Sequence, residues 1–159
     1  MSFTLNGATT ALPESGTLLH ALRGDFGLNG AKLGCGAEAC GACHVLVDGV
    51  SVPSCALPVE AVRGRVVVTL EGLGTPENPH PLQTAFLAEQ AGQCGYCLPG
   101  IIVSAAALLA REPQPTEEAV RQALQPHLCR CHSHNRILRA VLRAAAPGGA
   151  VPVNSEPRA

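Results

Sequence analysis

Eight of the chain's 159 residues are cysteines, and they fall into two groups of four. The first group lies in Gly34-Cys35-Gly36-Ala37-Glu38-Ala39-Cys40-Gly41-Ala42-Cys43 and is completed by Cys55, giving the spacing C-x4-C-x2-C-x11-C. That spacing suits a 2Fe–2S cluster. Three thiolates on one compact loop can converge on the irons while the loop's backbone N–H groups turn inward toward the sulfides and stabilise an anionic centre. Gly34, Gly36 and Gly41 permit the backbone conformations and the close approach that this needs. Cys55 arrives from the far side, after a hairpin about Asp48-Gly49, and brings the count to two cysteines per iron. Zinc ribbons use two short cysteine pairs rather than three cysteines on one loop, and disulfides need an oxidising compartment. Glu38 and Lys32, the only lysine, read as solvated charges.

The second group has the arrangement C-x2-C…C-x-C, in Gln93-Cys94-Gly95-Tyr96-Cys97 and Leu128-Cys129-Arg130-Cys131. Each pair sits just before an expected helix, where free N–H groups and the helix dipole favour negative charge. An iron–sulfur site fits, and zinc is a real alternative on spacing alone. Cys94-Gly95-Tyr96-Cys97 is also a possible thiol–disulfide motif, although the βαβ setting expected of one is missing. His132 and His134 could replace cysteine ligands in principle; with four cysteines at hand they read as surface or partner-contact residues. Tyr96 reads as packing, and His20, His44, His80 and His127 show no ligand-like grouping.

The elements that must position these residues change character at Gly72-Leu73-Gly74-Thr75-Pro76-Glu77-Asn78-Pro79, a run of turn formers that reads as a linker. Before it, strands are expected at Phe3–Leu5, Thr9–Leu12 after the Asn6-Gly7 hairpin signal, His44–Val47 and Val66–Leu70. One helix is expected from Thr17, with Leu18, Leu19, Leu22 and Phe26 at helical spacing. After it, four helices are expected: around Leu82 to Glu89, Ile101 to Arg111, from Thr116, and Asn135 to Ala146. The last has an apolar face of Ile137, Leu138, Val141 and Leu142 and an arginine face of Arg136, Arg139 and Arg143, either solvated or a partner contact. The fold class is α+β: residues 1–75 a small mixed domain, 76–146 a helical one, 147–159 a flexible tail.

A hydrophobic content of 47% supplies a core, while 3% aromatics, no Trp and a net charge of −1 argue against nucleic-acid binding. The N-terminus has no basic and apolar signal segment. The longest apolar run, Leu98 to Ala110, holds a Pro, a Gly and a Ser and is too short to span a bilayer. The expectation is a soluble, cytoplasmic protein, in which clustered cysteines point to metal or redox chemistry.

Lys32-Leu33-Gly34-Cys35-Gly36, Cys40-Gly41-Ala42-Cys43, Asp48-Gly49, Ser54-Cys55, His80-Pro81-Leu82-Gln83, Gln93-Cys94-Gly95-Tyr96-Cys97 and Leu128-Cys129-Arg130-Cys131 follow in this order. Together they resemble the small iron–sulfur subunit of the molybdenum hydroxylases, the xanthine dehydrogenase and aldehyde oxidase family, over residues 1 to 146. Its isoquinoline and nicotinate dehydrogenase small subunits are the most similar. The resemblance implies an N-terminal β-grasp, plant-type ferredoxin-like domain with one 2Fe–2S cluster and a four-helix domain with a second. The molybdopterin cofactor would sit in a separate large catalytic subunit. Electrons would leave it through the Cys94/Cys97/Cys129/Cys131 cluster, then the Cys35/Cys40/Cys43/Cys55 cluster. The external acceptor would be a cytochrome c, an FAD subunit or another carrier. The implied substrate class is N-heterocyclic aromatics or aldehydes. Gln93 and Cys131 would approach the pterin edge; the alternative for Gln93 is a helix C-cap bonding its own backbone.

The chain departs from the family pattern at Pro126-His127, where Gly-Asn is favoured, and at His132-Ser133-His134-Asn135 after the last cysteine. It has no nucleophile elbow, phosphate-cradling loop or FAD-binding segment, so it is expected to belong to an oxidoreductase without transforming substrate itself. A free-standing ferredoxin and a zinc-stabilised adaptor are the alternatives.

Overall fold

Two tight hairpins supply four of the five strands. β1 (Ser2–Leu5) and β2 (Ala8–Ala11) turn at Asn6-Gly7, and β3 (His44–Val47) and β4 (Val50–Pro53) turn at Asp48-Gly49. All four turn residues have positive φ, between 50° and 87°, the conformation that a two-residue type I′ turn requires. β5 (Val66–Val68) pairs parallel to β1 and antiparallel to β3, giving the order β2-β1-β5-β3-β4. The computed structural model describes residues 2–146; the expected tail, 147–159, lies outside the described residues.

α1 (Leu18–Gly24) starts at Thr17, whose hydroxyl accepts from the His20 N–H at 3.3 Å. Its Leu18 and Leu22 share a core with Phe3, Leu5, Val45, Val47 and Val67. Phe26 lies beyond the helix end and packs edge-on to Phe3, with centroids 5.8 Å apart. β3 is buried on both sides: Val45 and Val47 enter this core, while Leu46 joins Val68 on the other side of the sheet against Val103 and Ala107.

Those last two residues belong to α4 (Leu98–Arg111), the helix around which the C-terminal half is built. Ile101, Ala105, Leu108 and Leu109 pack with Leu82 and Phe86 of α3 (Pro81–Ala88), Val120 of α5 (Glu117–Leu124), and Ile137 and Val141 of α6 (His134–Ala144). α3 opens with a capping box in which His80 Nδ1 accepts from Leu82 N–H and Gln83 Oε1 accepts from His80 N–H. Thr116 caps α5. α4 begins three residues before the expected Ile101, because Pro99 in the first turn has no N–H to leave unpaired.

Two expectations are corrected. The strand at 66–70 ends at Val68, and Leu70 opens α2 (Leu70–Leu73), so the linker begins as ordered helix. Side-chain bonding diverts the chain there: Thr69 N–H donates to Asn6 Oδ1 at 2.9 Å and the Thr69 hydroxyl to Glu71 Oε2 at 2.6 Å. Glu71 Oε1 also accepts from Gly30 N–H at 2.7 Å. The arginine face of α6 is not simply solvated. Arg139 and Arg143 both bond Glu89, at 3.2 and 3.0 Å, and Arg136 donates to the Gln90 carbonyl, so the face clamps α6 to the end of α3. The two arginines hold the Glu89 carboxyl below its ordinary pKa. Among the described residues no helix is long and apolar enough to cross a membrane.

α4 also rests on the first cysteine loop. A Cβ on Gly100 would collide with the Gly41 carbonyl. Replacing Gly with Ala stabilises a helix interior by about 1 kcal/mol, and less in the first turn where Gly100 lies, whereas overpacking a close contact costs roughly 1–3 kcal/mol. Gly100→Ala is therefore expected to lower the thermal midpoint despite the better helix former. A raised midpoint would show that the helix does not need this approach.

Candidate metal centres

Residues 34–43 connect α1 to β3 without regular structure. Gly36, Glu38 and Gly41 have φ of 67°, 58° and 75°. The loop folds back on itself, and its amides point at sulfur. Ala37 and Ala39 N–H donate to Cys35 Sγ at 3.3 and 3.2 Å, and Cys35 N–H donates to Cys40 Sγ at 3.4 Å. A Cβ on Gly34 would stand 2.7 Å from Cys40 Sγ. The Ala37 N–H, then that of Ala39, lowers the exposed Cys35 thiol to about 7. Cys55 is brought to the buried Cys43 by Ser54, whose N–H and hydroxyl both donate to the Cys43 carbonyl, at 3.3 and 2.6 Å. Burial pushes the Cys43 thiol up.

The second quartet repeats this electrostatic pattern. Cys97 is the N-cap of α4, and Cys94 precedes it across Gly95 at φ 79°. The Tyr96 N–H, then the Cys131 thiol, lowers the exposed Cys94. Burial, then the neighbouring Cys129, raises Cys97 to about 12. Gln93 Nε2 donates to the Cys131 carbonyl at 3.0 Å. The structure thus joins the two residues expected at a cofactor edge, and Gln93 does not cap its own helix.

Within each quartet the thiols are neighbours: Cys35 and Cys40, Cys43 and Cys55, Cys94 and Cys131, and Cys97 with both Cys129 and Cys94. Among the described residues no three His, Cys, Asp or Glu side chains converge as a single-ion site. Iron-bound thiols are deprotonated outright. In each quartet backbone N–H groups favour the thiolate of an exposed cysteine, while burial disfavours that of an inner one. This donor set fits a cationic iron centre.

The two loops touch through their backbones. Leu128 N–H donates to the Cys40 carbonyl at 3.0 Å, and the Tyr96 hydroxyl donates to the Leu33 carbonyl at 2.6 Å. Tyr96, expected as packing, is 49% exposed and acts as a cross-link. Lys32 Nζ lies 5.9 Å from its ring centroid and bonds the Asn29 carbonyl. His132 and His134 are exposed, in keeping with a surface reading. His44 and His127, which showed no grouping in the sequence, stack edge-to-face with centroids 4.7 Å apart. They are joined through Ser51 and Ser104. The one sequence signal for this cluster is Ser104, a lone hydroxyl within the otherwise apolar run Ile101–Leu109.

Residues 3–66 match the family of 2Fe-2S iron-sulfur cluster binding domains, and residues 69–142 match the [2Fe-2S] binding domain family. The chain is 51% identical to one of the subunits of nicotinate dehydrogenase from Pseudomonas putida, covering 91% of this chain and 94% of that protein. It is 44% identical to the alpha subunit of isoquinoline 1-oxidoreductase from Brevundimonas diminuta, covering 91% and 97%. Aldehyde oxidoreductase from Desulfovibrio gigas superposes with a TM-score of 0.87 at 39% identity, over 92% of this chain and 17% of that one. With two cluster-binding domains in one short chain and relatives matched nearly end to end, the protein belongs to the family of electron-transferring iron–sulfur small subunits of the molybdenum hydroxylases.

Proposed function

We propose that Cys35, Cys40, Cys43 and Cys55 hold one 2Fe–2S cluster in a unit of residues 1–75. Cys94, Cys97, Cys129 and Cys131 hold the second in a unit of residues 76–146. Two quartets of neighbouring thiols, the first lined by N–H groups aimed at sulfur, carry this reading, because a two-iron cluster takes two cysteines per iron. When bound, the clusters supply one-electron carriers. The chain's own part is to hold the thiolates, shield the inner ones from water and aim N–H groups at the outer ones.

In this proposal the chain works beside a molybdopterin-binding large subunit in the cytoplasm. Electrons enter at the Cys94/Cys97/Cys129/Cys131 centre, reach the Cys35/Cys40/Cys43/Cys55 centre, and leave to a cytochrome c, an FAD subunit or another acceptor. The names of the nicotinate and isoquinoline relatives support an N-heterocyclic aromatic substrate for the complex. Gln93 steadies the Cys131 carbonyl and lies with it on the side toward the large subunit's cofactor.

The anaerobically purified chain is expected to be brown, with about four irons and two distinct electron paramagnetic resonance signals after reduction. A colourless protein with stoichiometric zinc would overturn the assignment. Cys40→Ser and Cys129→Ser should each remove one signal and leave the other. Loss of both signals from either folded variant would refute the separation into two sites.

Gln93→Ala deletes one exposed hydrogen bond, worth about 1 kcal/mol. Both clusters should still form, while their reduction by substrate in the assembled enzyme slows. Reduction at the parent rate, with cofactor occupancy matched, would leave Gln93 without a role at the junction.

A further inference from the structure

The most buried polar cluster outside the cysteine loops bridges the sheet and the helices. His44 Nδ1 lies 2.8 Å from Ser51 Oγ, Ser51 Oγ lies 2.6 Å from Ser104 Oγ, and Ser104 Oγ lies 2.7 Å from His127 Nε2. His44, Ser104 and His127 are 4–7% exposed. Three bonds can be donated in one continuous direction along such a chain. Its ends have particular neighbours. His44 follows Cys43, and His127 stands two residues before Cys129. The His127 ring also lies against Gly41, where a Cβ would strike it.

Buried hydrogen bonds of this kind specify one arrangement of the parts they join; within the network His127 Nε2 is paired, while His127 Nδ1, beside Gly41, finds no partner among the described residues. Apolar contact of Leu46 and Val68 with Val103 and Ala107 holds the sheet and α4 together but has no direction of its own. The buried hydrogen bonds add direction to it. We infer that the His44–Ser51–Ser104–His127 chain is a buried lock that, with the Leu128–Cys40 backbone bond, fixes the two cysteine loops relative to each other and thereby sets the separation of the two redox centres. His127 and Ser104 are positioning residues in this scheme. The inference rests on the cysteine assignments above, and it gives a use to Pro126-His127, where the chain departs from the family pattern.

The test uses the full chain with both clusters reduced, and reads the magnetic splitting that each cluster imposes on the other. Dipolar splitting falls with the cube of separation, so it reports geometry that thermal stability does not. Ser104→Ala and His127→Leu are expected to keep both clusters and their individual g-values but to lose splitting and slow electron exchange between centres. His127→Gln, which retains a polar group near the Nε2 position, should retain the parent splitting. Should Ser104→Ala fail to fold, His127→Leu carries the test, since it removes the same 2.7 Å bond to Ser104, whereas Ser51→Ala would leave Ser104 within 3.4 Å of His44. Unchanged splitting in the folded deletion variants overturns the lock, as does a His127→Gln variant no better than His127→Leu. Absence of two cluster signals in the parent chain would instead sink the cysteine assignment itself.

Discussion

The fold turns on the backbone contact at Gly41. This residue lies between Cys40 and Cys43, its carbonyl is pressed by Gly100 of α4, and the His127 ring covers its Cα. A side chain there is excluded twice, by a φ of 75° and by the neighbours. Because α4 and the segment before Cys129 both meet this point, the two cysteine loops are held at backbone contact rather than at side-chain distance. The Leu128-to-Cys40 hydrogen bond is the direct expression of that closeness.

α4 does two jobs that compete for its surface. It forms the centre of the helical core, and it also offers Val103, Ala107 and Ser104 to the sheet. Eleven of its fourteen residues are buried, which explains the shortage of polar positions along it. A helix so enclosed cannot rotate to expose one face, so Cys97 at its N-cap is fixed in direction by packing that begins a turn later. β3 plays the corresponding part in the sheet, with Cys43 immediately before a strand buried on both sides.

The electrostatics of the two quartets are alike although their spacings differ. Exposed Cys35 and Cys94 take N–H donors from their own loops, while buried Cys43 and Cys97 lose hydration. A loop that must face solvent at one edge and a core at the other produces this asymmetry without shared ancestry between the quartets. It also divides the work. Local backbone turns prepare the outer thiols, and the inner ones depend on tertiary burial.

Spacing and residue type alone marked the cysteine quartets as candidate ligands and carried both hairpins and all four long C-terminal helices, because each is a local matter. Asn6-Gly7 and Asp48-Gly49 impose their turns, Thr116 marks a helix start, and glycines around Cys35 and Cys40 permit a sulfur-facing loop. The sequence was silent or misleading where distant segments decide. The end of β5 was set by Asn6, 63 residues from Thr69. The arginine face of α6 found Glu89, 50 residues from Arg139. Gln93 was settled by Cys131, and the His44–His127 pair by two serines from different elements. Hydrogen bonds and ion pairs between segments so far apart leave no periodicity in the chain, since nothing in local geometry brings them together. Only the packing of the elements against one another does: β1 on β5, α6 on α3, and α4 on the sheet.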